Sequence, residues 1–428
     1  MFFRLQYGRK GHTIELPDTC NTDIIEPKWI KGEGNQGRAI SEALNRPYYS
    51  RPLKDLAGKD DKIGIIFSDI TRATPYDIII PALLDELKGT SKKNIRFFCA
   101  NGTHRLVTDE ELKRILGNEI VSNYEIVQND SGKPDLFEYV GTTSSGNKIH
   151  VNREILKCDL KILTGFIEPH FFAGFSGGGK ALIPGLANDS TIKYSHSIEH
   201  LSNENARWGI TDGNPLWEEI MEAAELVPGL FLLNVALNRN KEITKVFAGD
   251  LRKAHAAGCR YVKESAMVPV KNLYDIVITS NSGYPLDLNI YQTVKGMSAA
   301  AQVVKNDGHI ILAAECWDGI PSGSDYEKIL TEVRNTDGLI DYVKKNEGKL
   351  KDTWQIYPQA LIMKKAKVYL YSDRLDTDTI KRALLTPVKN IENLVRELVR
   401  DTGPDTHICV LPEGPQTIPY LEAAHLPG

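Results

Sequence analysis

The stretch from Gly165 to Lys180 places a histidine, a glycine-rich turn and a lysine close together, directly after the apolar run Leu160 to Leu163. Such a run reads as a buried strand. Glycines in a turn behind a strand let backbone N–H groups gather round an anion, usually a phosphate. Gly177, Gly178 and Gly179 would make that approach. Lys180 could neutralise the anion, or act as a nucleophile if its pKa is lowered. His170, ten residues earlier, adds a proton carrier.

Three motifs overlap in this region. Gly174 to Lys180 has the G-x-x-x-x-G-K spacing of a P-loop. The next residue is Ala181, so the hydroxyl that would hold magnesium is missing. Gly174 to Gly178 fits G-x-S-x-G, with Ser176 either a nucleophile or a small residue in a tight turn. His196, Glu199 and His200 fit H-x-x-E-H. On one helix those histidines would share a face and could bind zinc, with Glu199 as a base. The plainer alternative is one functional histidine and one surface histidine.

Further candidates sit behind other strand-like runs. Ile63 to Phe67 leads into Asp69 and Arg72, and Ile95 to Cys99 leads into Asn101 and His104. The run Ile276 to Thr279 ends at Asn281, with Lys295 in the helical pattern that follows. Arg72 and Lys295 could hold a carboxylate or a phosphate, the arginine through a bidentate fork. His104 and His170 could each be structural. Converging on one cleft, they would suit a racemase, which needs a proton carrier on each face of the reacting carbon.

Strands alternating with helices are needed to position these groups. Helical patterns span Asp109 to Leu116 and Asn289 to Val304. Later strands are expected over His309 to Ala314, Lys367 to Tyr371 and Ile408 to Leu411. The alternation predicts an α/β chain of two domains, with mainly parallel sheets flanked by helices. Open sheets of this kind place ligands beyond their strand ends, where the polar residues gather. A boundary is expected near Val268 to Lys271. It separates an N-terminal domain, 1–270, with the lysine and the histidines, from a C-terminal domain, 271–428, that completes the substrate site. The active site is expected in the cleft between them. Whether the last segment returns to the first domain is open.

Composition narrows the function. The 428 residues carry 52 basic and 56 acidic side chains, a net charge of −4, so nothing marks a nucleic-acid partner. The N-terminus lacks the apolar core of a signal peptide, and no apolar run approaches a membrane span. Six scattered cysteines without a C-x-x-C pair read as buried free thiols and suit a reducing cytoplasm.

Read together, the motifs resemble one family. They are Ser68 to Pro75, Asn101 to Arg105, Glu168 to Lys180, His196, Tyr291 to Gly296, and Trp354. In their order and spacing the chain resembles the nickel-pincer-nucleotide-dependent lactate racemases and their homologues, over nearly its whole length. The resemblance implies a pyridinium mononucleotide joined to Lys180 through a thioamide, its nickel held by two sulfurs and a ring carbon, with His196 as the protein ligand. Gly177, Gly178, Gly179 and Asp69 would adjoin that cofactor. His104 and His170 would be the two acid/base residues. Arg72, Tyr291, Gln292, Lys295 and Trp354 would hold a small 2-hydroxy acid.

The implied reaction is racemisation by proton-coupled hydride transfer, with lactate as the first substrate and other 2-hydroxy acids or sugar acids as alternatives. Separate proteins would be needed to build the cofactor. Two readings from other classes remain: a zinc hydrolase using His196, Glu199 and His200, and a non-catalytic sugar- or nucleotide-binding protein. His12, His150, His255, His309, His407 and His425 carry no supporting pattern.

Overall fold

The computed structural model describes residues 1–18 and 20–422. His425 lies outside the described residues. The chain divides into two compact units. One comprises Trp29–Glu168 and Phe172–Glu264, the other Met1–Lys28, Pro169–Phe171 and Ser265–Gly428. The first 28 residues therefore do not belong with the N-terminal unit, as 1–270 had them. Phe3, Leu5, Ile14 and Leu16 alternate towards the apolar core of the other unit. The strand Asn21–Ile24 then joins that unit's sheet beside His407–Leu411. Its sequence, Asn-Thr-Asp-Ile, has no apolar face to give it away, because an edge strand can be held by backbone pairing alone.

The unit Trp29–Glu168 with Phe172–Glu264 is built on one six-stranded sheet. Its strand order is Ile243–Gly249, Leu230–Leu237, Leu160–Phe166, Ile63–Ser68, Ile95–Ala100, Glu125–Gln128. Every neighbouring pair is parallel except the hairpin at the Ile243–Gly249 edge. Parallel strands are covered on both faces, so they read as unbroken apolar runs. Leu160–Phe166 is buried throughout, and Ile63–Ser68 is buried up to its last residue. Ile65, Phe67, Phe97, Ile162 and Leu233 pack into one core with Ile40, Leu44, Ile79 and Leu83 of the covering helices. The chain leaves Ile63–Ser68 towards one edge, then returns to its other side with Leu160–Phe166. That reversal is the switch point where open sheets bind ligands.

The other unit has a second six-stranded sheet, all parallel. Its order is Thr386–Val388, Lys367–Tyr371, Val304–Ala313, Tyr274–Ser280, His407–Leu411, Asn21–Ile24. The switch here falls between Tyr274–Ser280 and His407–Leu411. The helix Ile290–Ala301 follows Tyr274–Ser280 and stops short of Val304, where the next strand already begins. The final strand, Ile418–Leu421, pairs with Met267–Val270 of the same unit.

Among the described residues no helix is long and apolar enough to cross a membrane. All six cysteines are free, and five are buried.

Candidate active site

Three adjacent strands of the first sheet deliver its functional side chains from their carboxyl ends. Ile63–Ser68 leads to Asp69 and Arg72, Ile95–Ala100 to His104, and Leu160–Phe166 to Glu168 and Lys180. The helix Asp109–Leu116 fixes the loop that bears His104. It starts with a capping box, in which Thr108 Oγ1 accepts from Glu111 N and Glu111 Oε2 accepts from Thr108 N. Arg105 then grips Glu111 with two bonds of 2.8 Å.

Asp69 and His104 form a pair. Asp69 is 5% exposed, and its Oδ2 lies 2.6 Å from His104 Nδ1. Its Oδ1 accepts from Thr71 N at 3.1 Å and Thr71 Oγ1 at 2.6 Å. Burial would raise the pKa of this carboxyl. His104, the Thr71 hydroxyl and Arg72 outweigh it and bring the carboxyl down to about 2. Asp69 is thus an anion at neutral pH. It orients the imidazole and turns the other ring nitrogen away from itself, the arrangement that makes a histidine a directed base.

Arg72, Glu168 and Lys180 form the charged part of the site. Arg72 Nη1 lies 3.5 Å from Glu168 Oε1, a long contact for an ion pair. Lys180 Nζ sits 5.7 Å from the centre of the Phe172 ring. Its pKa is brought down to about 7, first by burial and then by the charge of Arg72, with Glu168 opposing. A substantial share of the amine is therefore neutral at neutral pH, which a nucleophilic lysine requires.

Two N–H groups of the glycine turn are bonded within the fold. Gly177 and Gly178 have φ of +77° and +59°, which other residues rarely adopt. The N–H of Gly178 is given to Asn234 Oδ1 at 2.8 Å, and that of Lys180 to Gly177 O at 3.2 Å. Neither of these two N–H groups is left to face a phosphate. A side chain at Gly179 would meet Ala224, Ile220 and Met221 at 3.2 Å, so this glycine serves close packing. Nor is Ser176 a nucleophile. Its hydroxyl donates to Phe166 O and accepts from Glu168 N, both at 3.0 Å, and the residue is buried.

The H-x-x-E-H reading fails on geometry. His196 caps the end of the helix Asp189–Ser195, and Ile198–Leu201 is a separate helix. The two histidines therefore do not share one helical face. His200 Nδ1 bonds to Ser195 O at 3.0 Å. Among the described residues no group of three or more His, Cys, Asp or Glu could hold a metal. His196 is suited to be one ligand of a metal whose other ligands come from elsewhere. It is buried, and its Nδ1 lies 3.1 Å from Ile192 O and 2.9 Å from Ser195 Oγ. A carbonyl only accepts, so the bond to Ile192 puts the proton on Nδ1 and the lone pair on Nε2. Burial and the Lys180 charge bring its pKa down to about 3 against the pull of the Ile192 carbonyl, so the ring is neutral.

The remaining candidates belong to the other unit. His170 is buried there in the segment Pro169–Phe171, its ring stacked on Phe171 with centroids 5.0 Å apart. Tyr291, Gln292 and Lys295 lie on the helix Ile290–Ala301, whose cap Asn289 accepts from Gln292 N. Tyr291 and Lys295 are four residues apart and share a face. Trp354 Nε1 donates to the Tyr291 hydroxyl at 3.1 Å. Gln355 Nε2 donates to Tyr291 O at 2.5 Å, and Tyr326 meets the Tyr291 ring edge-on at 5.3 Å. Tyr291 and Trp354 are thus brought together as one polar–aromatic group.

Residues 7–209 match the family model for the lactate racemase N-terminal domain, and residues 270–418 match that for the C-terminal domain. The chain belongs to the lactate racemase family. It is 36% identical to the lactate racemase of Thermoanaerobacterium thermosaccharolyticum over 97% of its own length and 98% of the relative's. Identity is also 36% to the lactate racemase of Lactiplantibacillus plantarum, over 96% and 97%. The solved apoprotein of the Thermoanaerobacterium thermosaccharolyticum lactate racemase superposes with a TM-score of 0.88, covering 98% of this chain and all of that one at 35% identity. A Thermotoga maritima protein shares the fold, with a TM-score of 0.72 over 91% of this chain at 19% identity. As a member of the lactate racemase family the chain is an isomerase.

Some contributors to this racemase-family site could not be singled out in the sequence. Asn234 and His255 stand in strand and helix far from the glycine motif, and only the fold brings them under it. Glu168 lies inside the motif, but its contact with Arg72 spans 96 residues of chain.

Proposed function

We propose that this chain interconverts the enantiomers of a small 2-hydroxy acid, with lactate the first candidate. The observation that carries the proposal is the Asp69–His104 pair, an imidazole oriented by a buried carboxylate, with Arg72 three residues along the chain from that carboxylate. His104 takes the substrate hydroxyl proton on the nitrogen turned away from Asp69. Asp69, anionic at neutral pH, steadies the imidazolium that results. The resemblance also assigns Asp69 to adjoin the cofactor, beside the bonds its oxygens make to Thr71 and His104. His170 is assigned the matching proton transfer on the opposite face. Tyr291, Gln292, Lys295 and Trp354 are assigned to substrate binding.

Lys180 and His196 fit a lysine-tethered nickel-pincer nucleotide. Lys180 offers an amine that is partly neutral at neutral pH, and His196 a neutral imidazole with its lone pair on Nε2. When bound, the group supplies the hydride acceptor, a function for which amino-acid side chains have no equivalent. The chain's own part is to bind, orient and move protons. Proteins that build the cofactor are required partners in this reading. Six free thiols suit a reducing cytoplasm.

A panel of single-enantiomer 2-hydroxy acids and sugar acids, incubated with cofactor-loaded protein and read by chiral chromatography, tests the substrate. L-Lactate should reach a one-to-one mixture fastest. Preference for a longer or sugar acid would move the assignment to another 2-hydroxy acid.

Arg72 has its own expected result. Its contact with Glu168 is long, so the guanidinium is available for an incoming carboxylate. Arg72→Ala leaves that carboxylate without its partner, a loss of ~2–5 kcal/mol for a desolvated pair. The value of kcat/KM should fall by orders of magnitude. Unchanged kinetics would remove Arg72 from the substrate site.

A further inference from the structure

We propose that Asn234 and His255 are positioning residues that lock the glycine turn and so fix where Lys180 presents its amine. Two independent anchors meet on this short turn. Asn234 is 1% exposed and lies on the strand Leu230–Leu237. Its Nδ2 donates to Leu163 O at 3.3 Å and to Leu233 O at 3.0 Å. Its Oδ1 accepts from Gly178 N at 2.8 Å. One amide thereby ties two neighbouring strands to the turn. A Cβ on Gly177 would come 2.5 Å from that same oxygen, so the turn rests directly on Asn234.

His255 holds the turn from the helix Leu251–Ala266. Its Nε2 lies 2.9 Å from Ser176 O. The carbonyl only accepts, so Nε2 carries the proton. The flat of the ring lies against Gly178, where a Cβ would come 2.8 Å from three ring atoms. Trp217 stacks on the imidazole at 6.2 Å and 15°, and Cys259 Sγ is 3.6–3.7 Å from the ring nitrogens. Burial keeps His255 neutral, with a pKa of about 4 against the pull of the Ser176 carbonyl. The ring is thus wedged between tryptophan and glycine with its donor aimed at the turn. Lys180 follows in the single turn Gly178–Ala181, its N–H bonded to Gly177 O. A shift at residues 176–178 therefore carries the lysine backbone with it. Preorganisation of this kind lowers the cost of reaching a reactive geometry.

The proposal rests on Lys180 being the tether, and its test separates the two. Asn234→Ala, His255→Phe and His255→Gln are compared with the wild-type chain, each coexpressed with the cofactor-building proteins. Phe keeps a ring against Trp217 but has no donor. Gln places an amide N–H near the position of Nε2. Amide deuterium exchange over residues 174–182 should rise roughly tenfold in Asn234→Ala and His255→Phe, while Ile63–Ser68 stays protected. The fraction of chain carrying an adduct at Lys180, read by peptide mass, should fall in both and recover in His255→Gln.

Unchanged exchange at the turn overturns the proposal, as does raised exchange with undiminished loading. Exchange raised throughout the unit would show a general structural role and also overturn it. Should Asn234→Ala fail to fold, the two His255 variants give the same decision. If the wild-type chain carries no adduct at Lys180, the tether reading fails, and with it the claim that the turn serves loading. The exchange data would then show separately whether the two residues hold the turn.

Discussion

His104→Ala loses racemisation by ~10²–10⁴-fold, the usual contribution of a general acid–base group, while keeping nickel and cofactor. In the proposed reaction the imidazole of the Asp69–His104 pair takes the substrate proton, and Thr71, the other partner of Asp69, offers only an amide and a hydroxyl in its place. His170→Ala should show the same loss with the same retention of metal, because one full cycle needs proton transfer on both faces. Asp69→Asn has one acceptor oxygen where Thr71 and His104 need two, and it removes the charge that steadies the imidazolium, so its turnover should fall far below wild type. His196→Ala should loosen the metal and change the cofactor's absorption. Metal analysis and turnover of these variants check the set. Normal turnover in both His104→Ala and His170→Ala would end the two-base account.

Lys180→Ala abolishes both the covalent adduct and activity. Intact mass after coexpression should show wild type heavier by the cofactor and the variant at its bare mass. The lysine titration adds a signed pH dependence. Burial and Arg72 depress the amine pKa from the ordinary lysine value of 10.5 to about 7. The neutral, attacking form therefore grows as pH rises through about 7 and is scarce below it. Loading of the purified chain should follow that curve, slow at pH 6 and near its ceiling by pH 8. Arg72→Gln removes a positive charge beside the amine, so its midpoint should move to higher pH. An adduct persisting in Lys180→Ala would place the tether elsewhere.

Much of this site was legible because parallel α/β sheets put polar residues directly behind apolar strands. Ile63 to Phe67, Ile95 to Cys99 and Leu160 to Leu163 read as strands, and the structure places them side by side with Asp69, Arg72, His104 and Lys180 at their carboxyl ends. The helix Asp109–Leu116 could be read to the residue because its capping box is a local signal. Local spacing misled wherever the geometry was decided by distant residues. The P-loop spacing gave no sign that Asn234 would take the Gly178 N–H. The H-x-x-E-H spacing assumed one helix where the chain turns between two. The N-terminal strand Asn21–Ile24 has no side-chain pattern at all, and its place is set by backbone pairing with His407–Leu411. His255 was invisible for a related reason: its partners Ser176, Gly178 and Trp217 are all remote in sequence.

The central claim is that racemisation moves a hydride, while His104 and His170 move only the hydroxyl proton. Cofactor-loaded protein supplied with L-lactate deuterated at C2, in ordinary water, tests this directly. Mass spectrometry of the D-lactate formed should find the deuterium still at C2, because the hydrogen leaves and returns as a hydride shielded from solvent. Protium at C2 of the product, increasing with turnover, would show proton abstraction from carbon and contradict the account.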